Sequence, residues 1–389
     1  VNGQGAQEKG WELPDAQAEI ACSFPILDLL EAALKERKIF SGLKLGWHCH
    51  LTWFTALAAK AATAAGARLF LSECNSTTTE PEAVRFMERI GARVALGPQS
   101  PDAVLAFEPQ ILSDTGFVLT ARYLDAGGQP VAGACEITTS GIRALRAQAS
   151  LPLPVVNIND SRLKSLIENF HGVGGEFLYA LNSISGSDWR DRAACVVGYG
   201  RVGAGVAHYL RSAGAHVSVV EIDPVLRLSA HYDGFVTKPL TRALTESELL
   251  VTATGCAGVL GDAEWLAAAP GLTVFNVGHW AAEVGPEALA RLAVDKRRQS
   301  EHLDEFVLPD GGGGQKSVYL ACGGHPANVV ICKGAPEPVL IHLTTELLCV
   351  EYLASCARAG QRLAAGEQAV PDFVEGEASR LALAALKIE

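Results

Sequence analysis

The sequence predicts an α/β protein of two doubly wound parallel-sheet domains, and three observations carry that expectation. Apolar runs of strand length alternate with amphipathic helical segments along most of the chain, the pattern of a parallel sheet with helices on both faces. At 389 residues the chain exceeds one typical core, so two domains are expected. A glycine-rich stretch, "CVVGYGRVGAGVAHYL" from Cys195, opens a second alternating series halfway along.

Taken in order, apolar residues at helical spacing predict a helix over 24–37, "FPILDLLEAALKER". Strand "LKLGWHCH", helix "TALAAKAATAAG" and strand "ARLFLSEC" follow, then helix "EPEAVRFMERIG" and strands "ARVALG" and "GFVLTA". A helix at about 161–172 leads through "GVGGE", with a hinge near 173, into strands "AACVVGYG", "HVSVVEID", "LLVTAT", "LTVFNVG" and "SVYLA". Gly311–Gly314 reads as a hairpin or loop. The helical "HLTTELLCVEYLASCARAG" is too short for a third domain and is expected to pack back onto the first. The expected division is a substrate-binding domain over 1–174, completed by 330–389, and a second domain over 175–329. The cleft between them is the expected ligand site.

Composition narrows the classes of function. Apolar residues make up 49% and charged residues 19%, as in a soluble globular enzyme. A net charge of −11 argues against a nucleic-acid partner, which needs clustered Lys and Arg. No run approaches the roughly 18–20 apolar residues of a membrane span. The N-terminal "VNGQGAQEKGWELPD" has no basic region followed by an apolar one, so no signal peptide is expected. Ten cysteines are scattered singly, without CxxC or zinc-like spacing, which suggests a reducing cytoplasm and no metal.

The glycine-rich stretch carries chemistry. Gly198, Gly200 and Gly203 follow a predicted strand and open a predicted helix. The first makes the tight turn, the second lets backbone approach a pyrophosphate, and the third lets helix and strand pack closely. Glu221, 18 residues beyond Gly203, ends the next strand, where a carboxylate accepts ribose hydroxyls and repels a 2′-phosphate. The second domain is thus expected to be a Rossmann domain, with NAD preferred over NADP. Lys164 and Glu168 stand four apart and share one face of a predicted helix. His48 and His50 alternate on a predicted strand, so only one faces any given side.

"NINDSRLKSLIEN", "GYGRVGAG", "EIDP", "VTATGC" and "NVGHW" together, in this order, resemble the S-adenosylhomocysteine hydrolase (adenosylhomocysteinase) family. The likeness runs from about residue 20 to 355. It implies a tightly bound, recycled NAD that oxidises the 3′-hydroxyl of a nucleoside, so that the C4′ proton becomes acidic and the 5′ substituent leaves. Water then adds in the hydrolase, and the hydride returns. It implies catalytic roles for His50, Asp114, Lys164, Glu168 and His279, and a substrate contact for Thr52. It implies cofactor contacts for Thr138, Thr139, Ser140, Asn169, Arg201, Val202, Thr254, Val277, Gly278 and Asn328, besides the three glycines and Glu221. A small-molecule nucleoside substrate and a homo-oligomer, dimer or tetramer, are the implied partners.

The departures from the family pattern concentrate on substrate recognition. Aligning "CEITTSG" on the family's SEETTTG puts Ile137 where a ribose-binding Glu belongs. Shifting by one restores Glu136 but spoils the Thr and Gly matches, so loss is the preferred reading. Phe54 replaces an acidic residue of the adenine-binding segment, and Val173 replaces a Cys. Ala281 replaces the Asp after the GHF motif, and Ala335 takes the place of a substrate-contacting His. In that register His325 of "GGHP" is a fortuitous match. The family's terminal tail, which helps a neighbouring subunit hold NAD, has no counterpart in "LALAALKIE", which puts family-like packing in doubt. Three functions follow as alternatives: a specialised nucleoside dehydratase or lyase of secondary (nucleoside antibiotic) metabolism, a true S-adenosylhomocysteine hydrolase, or an inactive NAD-binding regulatory homologue. The first is favoured, because the sugar-oxidising residues persist while base and ribose contacts change.

Overall fold

The computed structural model describes residues 14–389 except 128, 187, 333 and 334, so most of the N-terminal segment quoted above lies outside the described residues. Its first sheet takes β1 (Lys44–Cys49), β2 (Arg68–Glu73), β3 (Arg93–Ala95), β4 (Ile111–Asp114), β5 (Ala134–Glu136) and β6 (Pro154–Asn157). The second takes β7 (Ala193–Val197), β8 (His216–Val220), β9 (Val236–Thr237), β10 (Leu249–Thr252), β11 (Thr273–Asn276), β12 (Asp295–Ser300), β13 (Leu303–Pro309) and β14 (Gln315–Ala321). β15 (Gly366–Ala369) returns to the first sheet as an edge strand beside β6. The spatial orders are β15-β6-β5-β4-β1-β2-β3 and β12-β13-β14-β11-β10-β7-β8-β9. In each, strand order reverses beside the first strand, between β1 and β4 and between β7 and β10. That is the doubly wound topology with its switch point.

Strands buried on both faces explain the near-continuous apolar runs. In the first sheet Leu45 pairs with Leu69 and Ile111, and in the second Val196 pairs with Val219 and Val251. The long helix Pro336–Arg358 packs into the first core through Leu340, Leu343, Leu347 and Val350. It is long and apolar enough to cross a membrane by length and composition, a correction to the expectation that no such run exists. With 83% of its apolar window buried inside the fold, it is accounted for as a core helix.

One expected strand is absent and two features add to the expectations, each for a physical reason. "GFVLTA" is not a strand but the start of the helix Val118–Ala126. The chain turns sharply at Gly116 (φ 84°) and Phe117 (φ 60°), after β4 has supplied the expected strand. At the position expected for the hinge, near 173, a π-helical segment, Leu163–Gly172, runs directly into the α-helix Val173–Ser185. Gly174 and Gly205 let this helix touch the one following the glycine-rich turn, since a Cβ on Gly205 would fall 2.2 Å from Phe170 O. Finally, β12 and β13 extend the second sheet antiparallel to β14. β12 reads "DKRRQS", a wholly exposed charged edge without apolar signal.

Candidate active site

The carboxyl ends of strands from both sheets line one cleft of about 1060 Å³. Arg143 of the helix Thr139–Arg146 spans it, donating to Thr254 O and Gly255 O at 3.1 Å each.

On the second-sheet side, the three fingerprint glycines have distinct reasons. Gly198 has φ 96°, and a Cβ there would stand 2.8 Å from Ala253 O. A Cβ on Gly203 would lie 2.0 Å from Gly198 O, so strand and helix require its absence. At Gly200 a Cβ would meet nothing within 4 Å, which leaves open space for a phosphate at the helix N-terminus formed by Arg201 and Val202. Glu221 is held by the N–H groups of Tyr199 (2.6 Å), Ile222 (2.7 Å) and Asp223 (2.9 Å), with its carboxylate on the cleft wall. Asn328 donates to Glu176 Oε2 at 3.1 Å, and its own Oδ1 is buried without a partner among the described residues. An unmatched acceptor in the wall suits an amide N–H₂ such as the nicotinamide carboxamide. These residues fit NAD. Glu221→Ala should weaken NAD about 10- to 100-fold, the worth of a charged hydrogen bond, and relax rejection of NADP. Calorimetric titration of cofactor-stripped protein checks this, and an unchanged NAD/NADP ratio would reject the role.

Thr254, Val277 and Gly278 also line this side. The turn at Thr254 is fixed by Glu283, 1% exposed, which accepts Thr254 N at 2.6 Å and Gly255 N at 3.0 Å. Sequence reasoning passed over Glu283 while noting Ala281 beside it.

On the first-sheet side, His50 follows β1 into the cleft while His48 is buried against Ser72. His50 Nδ1 lies 2.7 Å from Thr78 Oγ1, whose single proton goes to Asn75 O at 2.9 Å. Thr78 must therefore accept from Nδ1–H, which leaves Nε2 as a bare lone pair. Burial, then His279 and Lys164, push His50 down to about 4, and burial pushes His279 down to about 4 as well. Both imidazoles are neutral at pH 7.

Lys164 and Glu168 form a largely buried ion pair on the π-helical segment. Burial alone would raise the Glu168 carboxyl, but His342 and Lys164 override it and hold the group at about 2. π-helical turns are frequent at functional sites. Asn169, Thr138, Thr139, Ser140, Thr52, Ile137 and Ala335 share the wall.

Besides Gly203, whose place is the packing of helix on strand, two expected residues do not line the cleft. Asp114 is wholly buried, its carboxylate accepting the N–H groups of Thr115 (2.9 Å), Leu119 (3.2 Å) and Thr120 (2.6 Å). It anchors the start of the helix after β4, and Thr115 faces the ligand space instead. Asp114→Ala should cost about 1–3 kcal/mol, the penalty for buried unsatisfied groups, in denaturant unfolding. It should also leave bound NAD in place. Phe54 packs in the first core, and Thr55, donating to His50 O at 2.7 Å, lines the cleft in its stead.

Glu136 is turned inward, accepting from Gly116 N, Phe117 N, Ile137 N and Thr138 N, while the Ile137 side chain meets the cleft. His325, set aside as fortuitous, does line the wall. Sequence reasoning missed His342 and Glu346, both buried cleft residues on the helix Pro336–Arg358. Their four-residue spacing in an apolar helix was the available signal.

Residues 180–330 match the S-adenosyl-L-homocysteine hydrolase NAD-binding domain. An S-inosyl-L-homocysteine hydrolase of Methanopyrus kandleri is 31% identical over 382 residues, covering 94% of this chain and 88% of the relative. A second, from Methanothermobacter thermautotrophicus, is 28% identical, covering 94% of this chain and 89% of its own length. An adenosylhomocysteinase of Aeropyrum pernix is 31% identical over 330 residues, covering 81% of this chain and 78% of the relative. The cofactor of the second sheet is NAD. With sequence likeness along nearly its whole length, the chain belongs to the S-adenosyl-L-homocysteine hydrolase family.

Proposed function

We propose that the protein is a nucleoside-modifying enzyme that oxidises a sugar hydroxyl transiently, removes the C4′ proton and eliminates the 5′ substituent, with water as the favoured leaving group. The observation that carries this reading is the buried Lys164–Glu168 pair facing the same cleft as the glycine-rich turn, with neutral His50 close enough to feel its charge. NAD supplies a reversible hydride acceptor. The Lys164–Glu168 pair takes the hydroxyl proton as a relay, the Lys164 ammonium handing one of its own protons to the Glu168 carboxylate as it receives that of the hydroxyl, and His50 handles protons at C4′ and the 5′ oxygen. A 3′-ketone makes the C4′ proton acidic, so elimination follows oxidation. Return of the hydride would leave a 4′,5′-unsaturated nucleoside.

Ile137 and Ala335 support a redirected substrate. Each presents an apolar side chain to the wall, so a polar contact at either place would go unmet, and discrimination by hydrogen bonding is lost there. Such a product suits a dedicated biosynthetic step, as in nucleoside antibiotic formation. A second reading is favoured by the relatives: hydrolysis of a nucleosyl-homocysteine thioether, with a hypoxanthine or adenine base.

Incubation with adenosine, inosine and the homocysteine thioethers of both, followed by mass spectrometry and a thiol assay, separates the two. Dehydration predicts a nucleoside lighter by one water and little thiol. Thiol release at the turnover of a true hydrolase would overturn the dehydration reading and establish the second.

A further inference from the structure

Behind the oxidation pair runs a buried chain of side chains. His342 lies on the helix Pro336–Arg358, with Nδ1 2.9 Å from Glu168 Oε2 and 3.4 Å from Lys164 Nζ. Its Nε2 stands 3.6 Å from Glu346 Oε2, one turn further along. Glu346 is 1% exposed, and its other oxygen accepts the Ser113 hydroxyl of β4 at 2.5 Å. The chain thus links the cleft to the central strands of the first sheet.

An ionised carboxylate only accepts, so the proton between His342 and Glu168 sits on Nδ1. The 2.9 Å ion-pair contact falls on Glu168 Oε2, an oxygen otherwise without a hydrogen-bond partner among the described residues, and leaves Oε1 to Lys164. We propose that His342 and Glu346 are positioning residues for sugar oxidation: His342 pairs with one Glu168 oxygen so that the other keeps Lys164 aimed into the cleft, and Glu346 backs the imidazole as a nearby carboxylate beyond hydrogen-bond reach. The inference rests on Lys164 and Glu168 serving oxidation as proposed above.

Glu168 faces Lys164 on its own helix, His342 on the helix Pro336–Arg358, Glu176 on the helix Val173–Ser185 and His50 beyond β1. Glu346 stands behind His342, with the Cys49, Cys135 and Cys349 thiols around it. Burial presses Glu168 towards protonation, and His342 opposes this more than Lys164 does. Without His342 the carboxyl keeps only Lys164 to oppose burial, and it lies beside Glu176, which burial itself pushes up to about 7. Glu168 then takes up a proton within the working pH range and loosens its hold on Lys164.

The test uses NAD-loaded protein, adenosine and inosine as probes, and the variants His342→Gln, His342→Ala and Glu346→Gln. At neutral pH the rate of nicotinamide reduction should fall about 10²-fold in His342→Ala, as for a misplaced reacting group, with KM little changed. The rate should partly recover at higher pH, an acid limb absent from the wild type. His342→Gln, which keeps an N–H donor, should lose less. Glu346→Gln preserves the imidazole and carries the test if the alanine variant does not fold. Infrared spectra should show a protonated carboxyl band in His342→Gln that disappears when Glu168→Gln is added. A pH-independent loss, an unchanged rate or no such band would overturn the arm. If the wild type reduces its nicotinamide with neither nucleoside, the proposed function fails, and the infrared band still decides the arm.

Discussion

Replacing Lys164 with alanine is expected to slow nucleoside-driven reduction of bound NAD by about 10²–10⁴-fold, the contribution of a positioned base. The cofactor should stay in place. Oxidation of an alcohol needs its proton removed as the hydride leaves, and Lys164 is the basic side chain that the π-helical segment presents to the cleft. It is 9% exposed and paired with Glu168, so it is neither a solvated surface lysine nor free to reorient. None of the groups that fit the cofactor, Gly200, Glu221 and Asn328, touches it among the described contacts. The measurement is the rise of reduced-nicotinamide absorbance after mixing with adenosine or inosine, alongside NAD content released by denaturation. Undiminished absorbance with intact NAD would remove Lys164 from the oxidation step. Loss of NAD itself would make the residue structural. Because breaking a buried ion pair costs about 3–5 kcal/mol, a thermal unfolding trace must accompany the rate.

The second sheet was the most legible part of the chain, because its signals are backbone requirements. Gly198 and Gly203 stand where any side chain collides with main chain, so their spacing reports geometry directly. The Lys164–Glu168 pair was legible by spacing alone, although the π winding was not, since no residue type announces it. Asp114 shows where resemblance misleads. A carboxylate just beyond a strand can face a ligand or turn back to meet helix N–H groups, and three short contacts select the second. Phe54 fails for a related reason: it sits one position from Thr55 on the first turn of a helix, and one position decides between core and cleft. His342 and Glu346 were hidden by their surroundings. "LIHLTTELL" reads as a core helix, and it is one; burial is what gives its two titratable groups their reach towards Glu168. "GFVLTA" misled because a short apolar run fits strand and buried helix equally.

Replacing His50 with alanine is expected to give the opposite signature to Lys164→Ala: the nicotinamide is reduced and stays reduced, because elimination stalls after oxidation. The tautomer supplies the reason. His50 enters the reaction neutral, with Nδ1–H committed to Thr78 and Nε2 bare, so it has no proton to give a leaving group. The reaction itself offers one, the C4′ proton made acidic by the adjacent ketone. His50 can take it at Nε2 and return it to the 5′ oxygen, which departs as water, so that one imidazole serves as base and then acid. Its value of about 4 keeps the base form available at every pH above about 5, so no acid limb from His50 should appear near neutrality. In deuterium oxide the wild type should exchange C4′ hydrogen for deuterium in recovered substrate. His50→Ala should not, although its absorbance shows that the ketone has formed. If exchange persists in the variant, another group removes the C4′ proton and His50 serves the leaving group alone. If His50→Ala blocks reduction while Lys164→Ala permits it, the two residues have exchanged roles, and the cleft oxidises its substrate from the β1 side rather than from the π-helical segment.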